Sequence, residues 1–375
     1  MKIALLSAFY PFRGGIAQFG ASLYRELEKE HDVKAYTFTR QYPDFLFPGE
    51  TQTVTDDDSA DPIPALRTLD SINPLSYRKT AREINDFGPD VLIVRLWMSF
   101  FGPAMGTVAR LMKPGTKVVA IVDNAIPHEK RFFDRPFTRY LLKHVDGYIV
   151  MTEAVKRDLL SLQPPSRRIE IIGHPVYTHF GQPLERETAC VQLGIDPLKK
   201  TLLFFGFIRE YKGLDVLLQA FAKLDSTYQL VIAGESYSAF DEYQKQIDEN
   251  PNRERIHLFR RYISDDEVPA FFCASHVCVL PYKSATQSGI ASISFHFDLP
   301  MIVTNVGGLS EAIHHNENGL LVDRPDAGLI SEAVGAYFKS DAEQRFRQNI
   351  RLYKREHSWE QFASRLVRFC ETLNS

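Results

Sequence analysis

Two cations, Arg209 and Lys212, share one turn in the segment Phe204-Phe-Gly-Phe-Ile-Arg-Glu-Tyr-Lys-Gly-Leu-Asp-Val-Leu-Leu-Gln-Ala220. An apolar run ends at Gly206, the turn carries both charges, and Gly213 opens an amphipathic helix with Leu214, Val216, Leu217, Ala220 and Phe221 on its apolar face. Such a turn aims its side chains off the carboxyl end of a parallel strand, beside a helix amino terminus. That is where α/β sheets bind anionic ligands. A guanidinium, an ammonium and main-chain N–H groups together suit a diphosphate. The alternative is an ordinary βα turn with two solvated cations.

Other turns of the same type recur along the chain. Pro11-Phe-Arg-Gly14-Gly15-Ile-Ala-Gln18 follows the first apolar run and opens a helix. Its paired glycines let backbone approach a ligand, or simply make a tight turn. Pro281–Ile290 is polar and glycine-bearing. Its Thr286, Gln287, Ser288, Gly289 and Ile290 offer hydroxyls, an amide and N–H groups to phosphate oxygens, or cap the following helix. Pro300–Glu311 gives a strand, the pair Gly307–Gly308 and Glu311 at a helix start. At the end of a further buried run stand Asp123 and, five residues on, His128. Asp123 reads as a carboxylate that accepts or orients a hydroxyl proton, or as a helix cap. His128 reads as a phosphate or acceptor contact. No GxGxxG fingerprint is present, which argues against hydride transfer with a dinucleotide.

The elements that must position these residues are short apolar runs alternating with helical patterns. Most runs are continuous, as in strands buried on both faces of a parallel sheet. They include Ile3–Ser7, Val91–Val94 and Val118–Val122 in the first half, and Leu202–Phe205, Val277–Leu280 and Ile302–Thr304 in the second. The repeated βα rhythm predicts two doubly wound α/β domains. Their expected bounds are residues 1–183 and 184–356, with the amphipathic helix in 357–375 packing back on the first. Tyr42–Pro64 breaks the rhythm and reads as an irregular insertion.

A length of 375 residues accommodates two cores of this kind. The net charge of −3 argues against nucleic-acid binding. Cys190, Cys273, Cys278 and Cys370 are scattered, with no CxxC and no metal spacing, as in a reducing cytosol. No apolar stretch reaches transmembrane length. A cytoplasmic protein is expected. A basic, aromatic stretch (Lys130, Arg131, Phe132, Phe133, Arg135, Phe137) makes peripheral contact with the inner membrane face a candidate, against a plain core-and-solvent helix.

In order and spacing these motifs resemble the retaining family 4 glycosyltransferases of the GT-B fold (glycosyl transferases group 1), over nearly the whole chain. The matching positions are Pro11, Gly14 and Gly15; Gly206, Arg209, Lys212 and Gly213; Pro300 to Glu311; Asn318 to Val322; and Ser358-Trp359-Glu360. The resemblance implies two Rossmann-like domains facing an inter-domain cleft, with a nucleotide-sugar donor on the second and an acceptor on the first. It implies transfer of a hexose to an acceptor hydroxyl with retention of configuration, without metal or cofactor. A UDP- or GDP-sugar would be co-substrate, and a glycan, lipid or small metabolite the acceptor. Arg209 and Lys212 would neutralise the leaving diphosphate, Gly14 and Gly15 would approach the donor, and Ile263 lies in the loop that faces the nucleobase. In a retaining enzyme of this kind the donor phosphate can itself take the acceptor proton.

This chain departs from the family at its two acidic residues separated by seven others. The first position falls near Thr286 or Gln287 and the second near Ile293 or Ser294, none of them acidic. Gln287, Ser288 and Gly289 stand in for the first; no residue stands in for the second, the usual ribose contact. Asp123 occupies the strand end where the family often has histidine. The departures keep open a nucleotide-sugar epimerase or hydrolase of the same fold, and a non-catalytic nucleotide-sugar-binding protein.

Overall fold

The computed structural model describes residues 1–43, 52–54, 61–127, 131–177, 180–236, 240–285, 289–339 and 342–373. The chain divides into two compact units, Met1–His174 with Ser358–Ser375, and Pro175–His357.

In the first unit the elements are β1 (Lys2–Leu6), α1 (Gly15–Leu27), β2 (Asp32–Arg40), β3 (Ala65–Asp70), α2 (Pro74–Phe87), β4 (Val91–Leu96), α3 (Gly102–Arg110), β5 (Lys117–Val122), α4 (Asp134–Leu142), β6 (Gly147–Val150), α5 (Glu153–Ser161) and β7 (Arg168–Ile171). All strand pairs are parallel, in the order β3-β2-β1-β4-β5-β6-β7. The order reverses between β1 and β4, so the crevice of this sheet lies outside their carboxyl ends. Every residue of β4 is buried, as a strand covered on both faces requires. Small residues let helices close on each other. A Cβ at Gly102 would collide with the Phe137 carbonyl, and one at Gly106 would press on Tyr140, so α4 lies tight against α3.

β3 lies inside a stretch whose composition gives little strand signal. It is an edge strand with Leu66 and Arg67 exposed, and its register on β2 is irregular. Of the expected insertion, Thr53 bridges Phe12 and Gln52 bonds the main chain of Tyr42; residues 44–51 and 55–60 lie outside the described residues.

In the second unit follow α6 (Arg186–Leu193), β8 (Lys200–Phe205), α7 (Leu214–Phe221), β9 (Tyr228–Ala233), α8 (Asp241–Asp248), β10 (Ile256–Phe259), α9 (Val268–Cys273), β11 (Val277–Leu280), α10 (Gly289–His296), β12 (Met301–Thr304), α11 (Leu309–Ala312), β13 (Gly319–Val322), α12 (Ala327–Lys339) and α13 (Ala342–Glu356). This sheet is also all parallel, ordered β10-β9-β8-β11-β12-β13, and it reverses between β8 and β11. Each run expected as a strand is found as one, and both units are doubly wound.

The last helix, α14 (Trp359–Thr372), belongs to the first unit. Ser358 caps it, accepting from the Gln361 N–H at 3.2 Å. Trp359 and Phe362 meet the ring of Phe19 on α1 edge-on at 4.8 and 5.4 Å. Arg365 reaches Glu170 and the Ile171 carbonyl on the far edge strand, at 3.2 and 2.7 Å.

Candidate functional site

The switch point of the second sheet is flanked by the two loops that the sequence singles out, Gly206–Gly213 after β8 and Pro281–Gly289 after β11. The first is an extension of the sheet. Gly206 N–H donates to the Ala233 carbonyl at 2.9 Å and Ile208 N–H to the Glu235 carbonyl at 2.8 Å. A single 3-10 turn, Glu210–Lys212, then reverses the chain and ends at Gly213 in the left-handed region (φ +69°). Gly213 must be glycine on two counts, because a Cβ there would also strike the Pro281 carbonyl. That contact brings the two loops together. Lys283 N–H donates to the Tyr211 carbonyl at 2.7 Å, and its Nζ donates to Asp215 Oδ2 at 2.8 Å. Thr304, at the end of β12, donates to the Tyr282 carbonyl at 2.5 Å.

Lys212 points into this junction. It is 7% exposed, and its Nζ lies 5.7 Å from the centroid of the Tyr282 ring. A methyl group at Gly206 would stand 3.2 Å from Nζ, so the absence of a side chain at 206 makes the space the ammonium occupies. Burial first, then the neighbouring Arg209 cation, push the ammonium from its ordinary 10.5 down to about 8. The ammonium still carries its charge at neutral pH. A desolvated cation beside a second cation is a place where an anion is stabilised more than in water.

The loop Arg260–Ser264 is held by Glu267. Its carboxylate receives Arg261 Nη1 at 2.7 Å, a second bond from Arg261 Nη2, and the Ser264 N–H and Oγ at 3.2 and 3.0 Å. Arg261, and next Ser264, hold this carboxyl down to about 2. Ser264-Asp-Asp-Glu267 has the Ser-x-x-Glu spacing of a capping box, but here Glu267 is itself the N-cap of α9 and the Ser264 hydroxyl bonds its carboxylate. Ile263 is buried within the loop. Gly289 and Ile290 form the first residues of α10, and the Ile290 side chain borders Gly206. Glu311 lies in the short α11, on the far side of Gly307–Gly308. Thr286, Gln287 and Ser288 lie outside the described residues.

In the first unit, Gly14 (φ +96°) and Gly15 form the start of α1 beside the switch point. Asp123 ends β5 and is 1% exposed. Both its oxygens receive Arg95 of β4, Nε at 2.7 Å and Nη2 at 2.9 Å. The single arginine inside the buried run Val91–Leu96 was a signal that a partner must stand nearby, since a buried charge needs one. His128 lies outside the described residues. Among the described residues, no three His, Cys, Asp or Glu are grouped so as to hold a metal ion, and no helix is long and apolar enough to cross a membrane.

Solved structures share the whole fold. Sucrose-phosphate synthase from Thermosynechococcus elongatus matches with TM-score 0.77 at 17% identity, covering 99% of this chain and 98% of that one. Anabaena HepE, solved with UDP-glucose, matches with TM-score 0.76 at 12% identity, covering 99% and 100%. The two doubly wound sheets therefore form a GT-B fold. The family described as Glycosyl transferases group 1 matches residues 185–356, and that described as Glycosyltransferase Family 4 matches residues 13–180. Together they span nearly the whole chain, which belongs among the group 1/family 4-like glycosyltransferases. A D-inositol 3-phosphate glycosyltransferase from Mycobacterium sp. (strain KMS) is 31% identical over 50% of this chain and 44% of its own length. An uncharacterized glycosyltransferase from Methanocaldococcus jannaschii is 22% identical over 96% and 95%. Of the curated relatives matched first, the chain spans only about half the length.

The lowered Lys212 value carries a stability consequence with a definite sign. Between pH 8 and 10.5 the unfolded chain holds this proton and the folded one releases it, so folding gains stability as pH rises through that window. Below pH 8 the whole penalty, on the order of 3 kcal/mol, is present. Urea unfolding should show Lys212→Met more stable than wild type at pH 7, with the difference shrinking toward pH 10. A difference that is absent at pH 7, or independent of pH, contradicts the burial of a charged Lys212.

Proposed function

We propose that the protein transfers a hexose from a nucleoside-diphosphate sugar, with UDP or GDP as nucleotide, to an acceptor hydroxyl, retaining the anomeric configuration. The observation that carries this reading is the buried Lys212 ammonium beside Arg209 at the β8/β11 switch point. As the sugar–oxygen bond breaks, negative charge builds on the leaving diphosphate, and these cations stabilise it where water does not compete. Because the protein supplies that charge itself, the reading requires no metal. Ile263 in its pinned loop faces the base. Residues 286–290 take the sugar and phosphates, with Glu311 beside them. Gly14 and Gly15 bring the start of α1 to the donor, and Asp123 orients the acceptor hydroxyl, with His128 as a further contact. The donor phosphate oxygen receives the acceptor proton. The acceptor is a glycan, a lipid or a small metabolite.

The reading includes peripheral contact with an anionic membrane. Phe132 is 96% exposed ahead of α4, and Arg131 and Arg135 beside it are exposed as well. An apolar ring between cations suits the lipid interface. Sedimentation with phosphatidylserine vesicles should retain wild type and lose Phe132→Ser by several-fold. Equal recovery of the two with phosphatidylserine vesicles removes the membrane from the account.

Thermal-shift titration with UDP and GDP should raise the melting temperature with one of them, and the matching radiolabelled sugar nucleotide should be slowly hydrolysed. Arg209→Ala and Lys212→Ala should each cut turnover at least about 30-fold, roughly 2 kcal/mol of transition-state stabilisation, without lowering the melting temperature in step with the loss of activity. No response of wild type to either nucleotide refutes the donor assignment. Stabilisation without turnover selects the non-catalytic nucleotide-sugar-binding protein instead.

A further inference from the structure

We propose that Arg95 is a positioning residue of the transfer reaction: one guanidinium holds the Asp123 carboxylate and the first turn of α1 in a fixed relation. The assignment rests on the transferase reading above and adds to it a residue that carries no family motif.

Arg95 is the fifth residue of β4, in an otherwise apolar strand, and its side chain is 5% exposed. Three of its nitrogens are engaged. Nε and Nη2 form a bidentate pair with Asp123 at 2.7 and 2.9 Å, and Nη1 donates to the Ile16 carbonyl at 3.2 Å. Ile16 lies in the first turn of α1, directly after Gly14–Gly15. The face of the guanidinium rests on Phe19, with Cζ 3.7 Å from the ring centroid. Phe19 is itself enclosed edge-on by His174, Trp359 and Phe362. Asp123 is fixed from its main chain too, its N–H donating to the Leu96 carbonyl at 2.9 Å. Strand β4, the end of β5 and the start of α1 thus meet on one planar cation, at the β1/β4 switch point where such a sheet places its ligand.

Stability alone does not call for this arrangement. A buried ion pair recovers little more than its desolvation cost, and apolar residues of similar volume often do as well. The pair does fix geometry. A planar fork on a carboxylate allows one orientation, and a lysine ammonium does not reproduce it. Loss of the fork frees the carboxylate that orients the acceptor side and the turn that approaches the donor, while donor binding through Arg209 and Lys212 stays intact.

Arg95→Lys keeps the charge and removes the fork. Arg95→Met combined with Asp123→Leu replaces the pair by apolar side chains and guards against a variant that fails to fold. In the full chain, hydrolysis of UDP-glucose and of GDP-mannose is followed with hydrogen–deuterium exchange of residues 15–20. Arg95→Lys should lower kcat at least about 30-fold with KM within about 3-fold, and should speed exchange in the first turn of α1 about 10-fold. The double variant should melt near wild type and also lose kcat. Wild-type kcat in either variant, a loss confined to KM, or unchanged exchange overturns the assignment. If wild type hydrolyses neither donor and neither nucleotide shifts its melting, the transferase reading fails and takes this assignment with it; that outcome shows in the wild-type control alone.

Discussion

A lysine ammonium kept charged away from water is the constraint around which the second unit is arranged. Lys212 is buried beside Arg209, and its lowered proton affinity shows that the fold resists the charge. Many local features exist to make that space and hold it. Gly206 leaves room for the ammonium, Gly213 turns the chain under Pro281, and Lys283 ties the following loop back to Tyr211 and Asp215. The arrangement is costly without a ligand and favourable with one. An anion at this position relieves both the desolvation and the repulsion between the two cations.

The first unit solves a related problem differently. Its buried cation, Arg95, has its counter-charge built in as Asp123. One unit thus buries the Lys212 ammonium beside a second cation, and the other buries an arginine against a carboxylate. The contrast assigns different tasks to two sheets of the same winding. In the proposed reaction the Arg209–Lys212 turn faces the charge of a leaving group, and the Arg95–Asp123 pair sets the positions of the groups around it. On the proposed function, the chain's lack of the acidic pair usual in its family leaves more of the donor recognition to the cation turn.

Much of the fold was legible in the sequence, for a physical reason. Strands covered on both faces must be apolar throughout, so runs such as Val91–Val94 and Leu202–Phe205 stand out without any partner being known. Edge strand β3 escaped because it is half exposed and mixes Arg67 and Thr68 with two leucines. The Arg209–Lys212 turn was visible because both residues lie in one local motif. Lys283 with Asp215 and Arg95 with Asp123 were not, since each pair joins positions 68 or 28 residues apart. A lone charge in a buried strand predicts that a partner exists; only the sheet order says which residue it is.

The central claim, that Lys212 stands ready for a diphosphate, is tested most directly by proton uptake on nucleotide binding. Calorimetry of UDP and GDP binding at pH 8.5, in buffers of different ionisation enthalpy, counts the protons taken up. A lysine that titrates at about 8 when free and is fully charged when bound should take up roughly 0.8 proton at that pH, and about 0.1 at pH 7. Arg at this position, charged throughout, should abolish the uptake. Binding at pH 8.5 with no proton uptake would show that the anion does not engage Lys212, and would contradict the account.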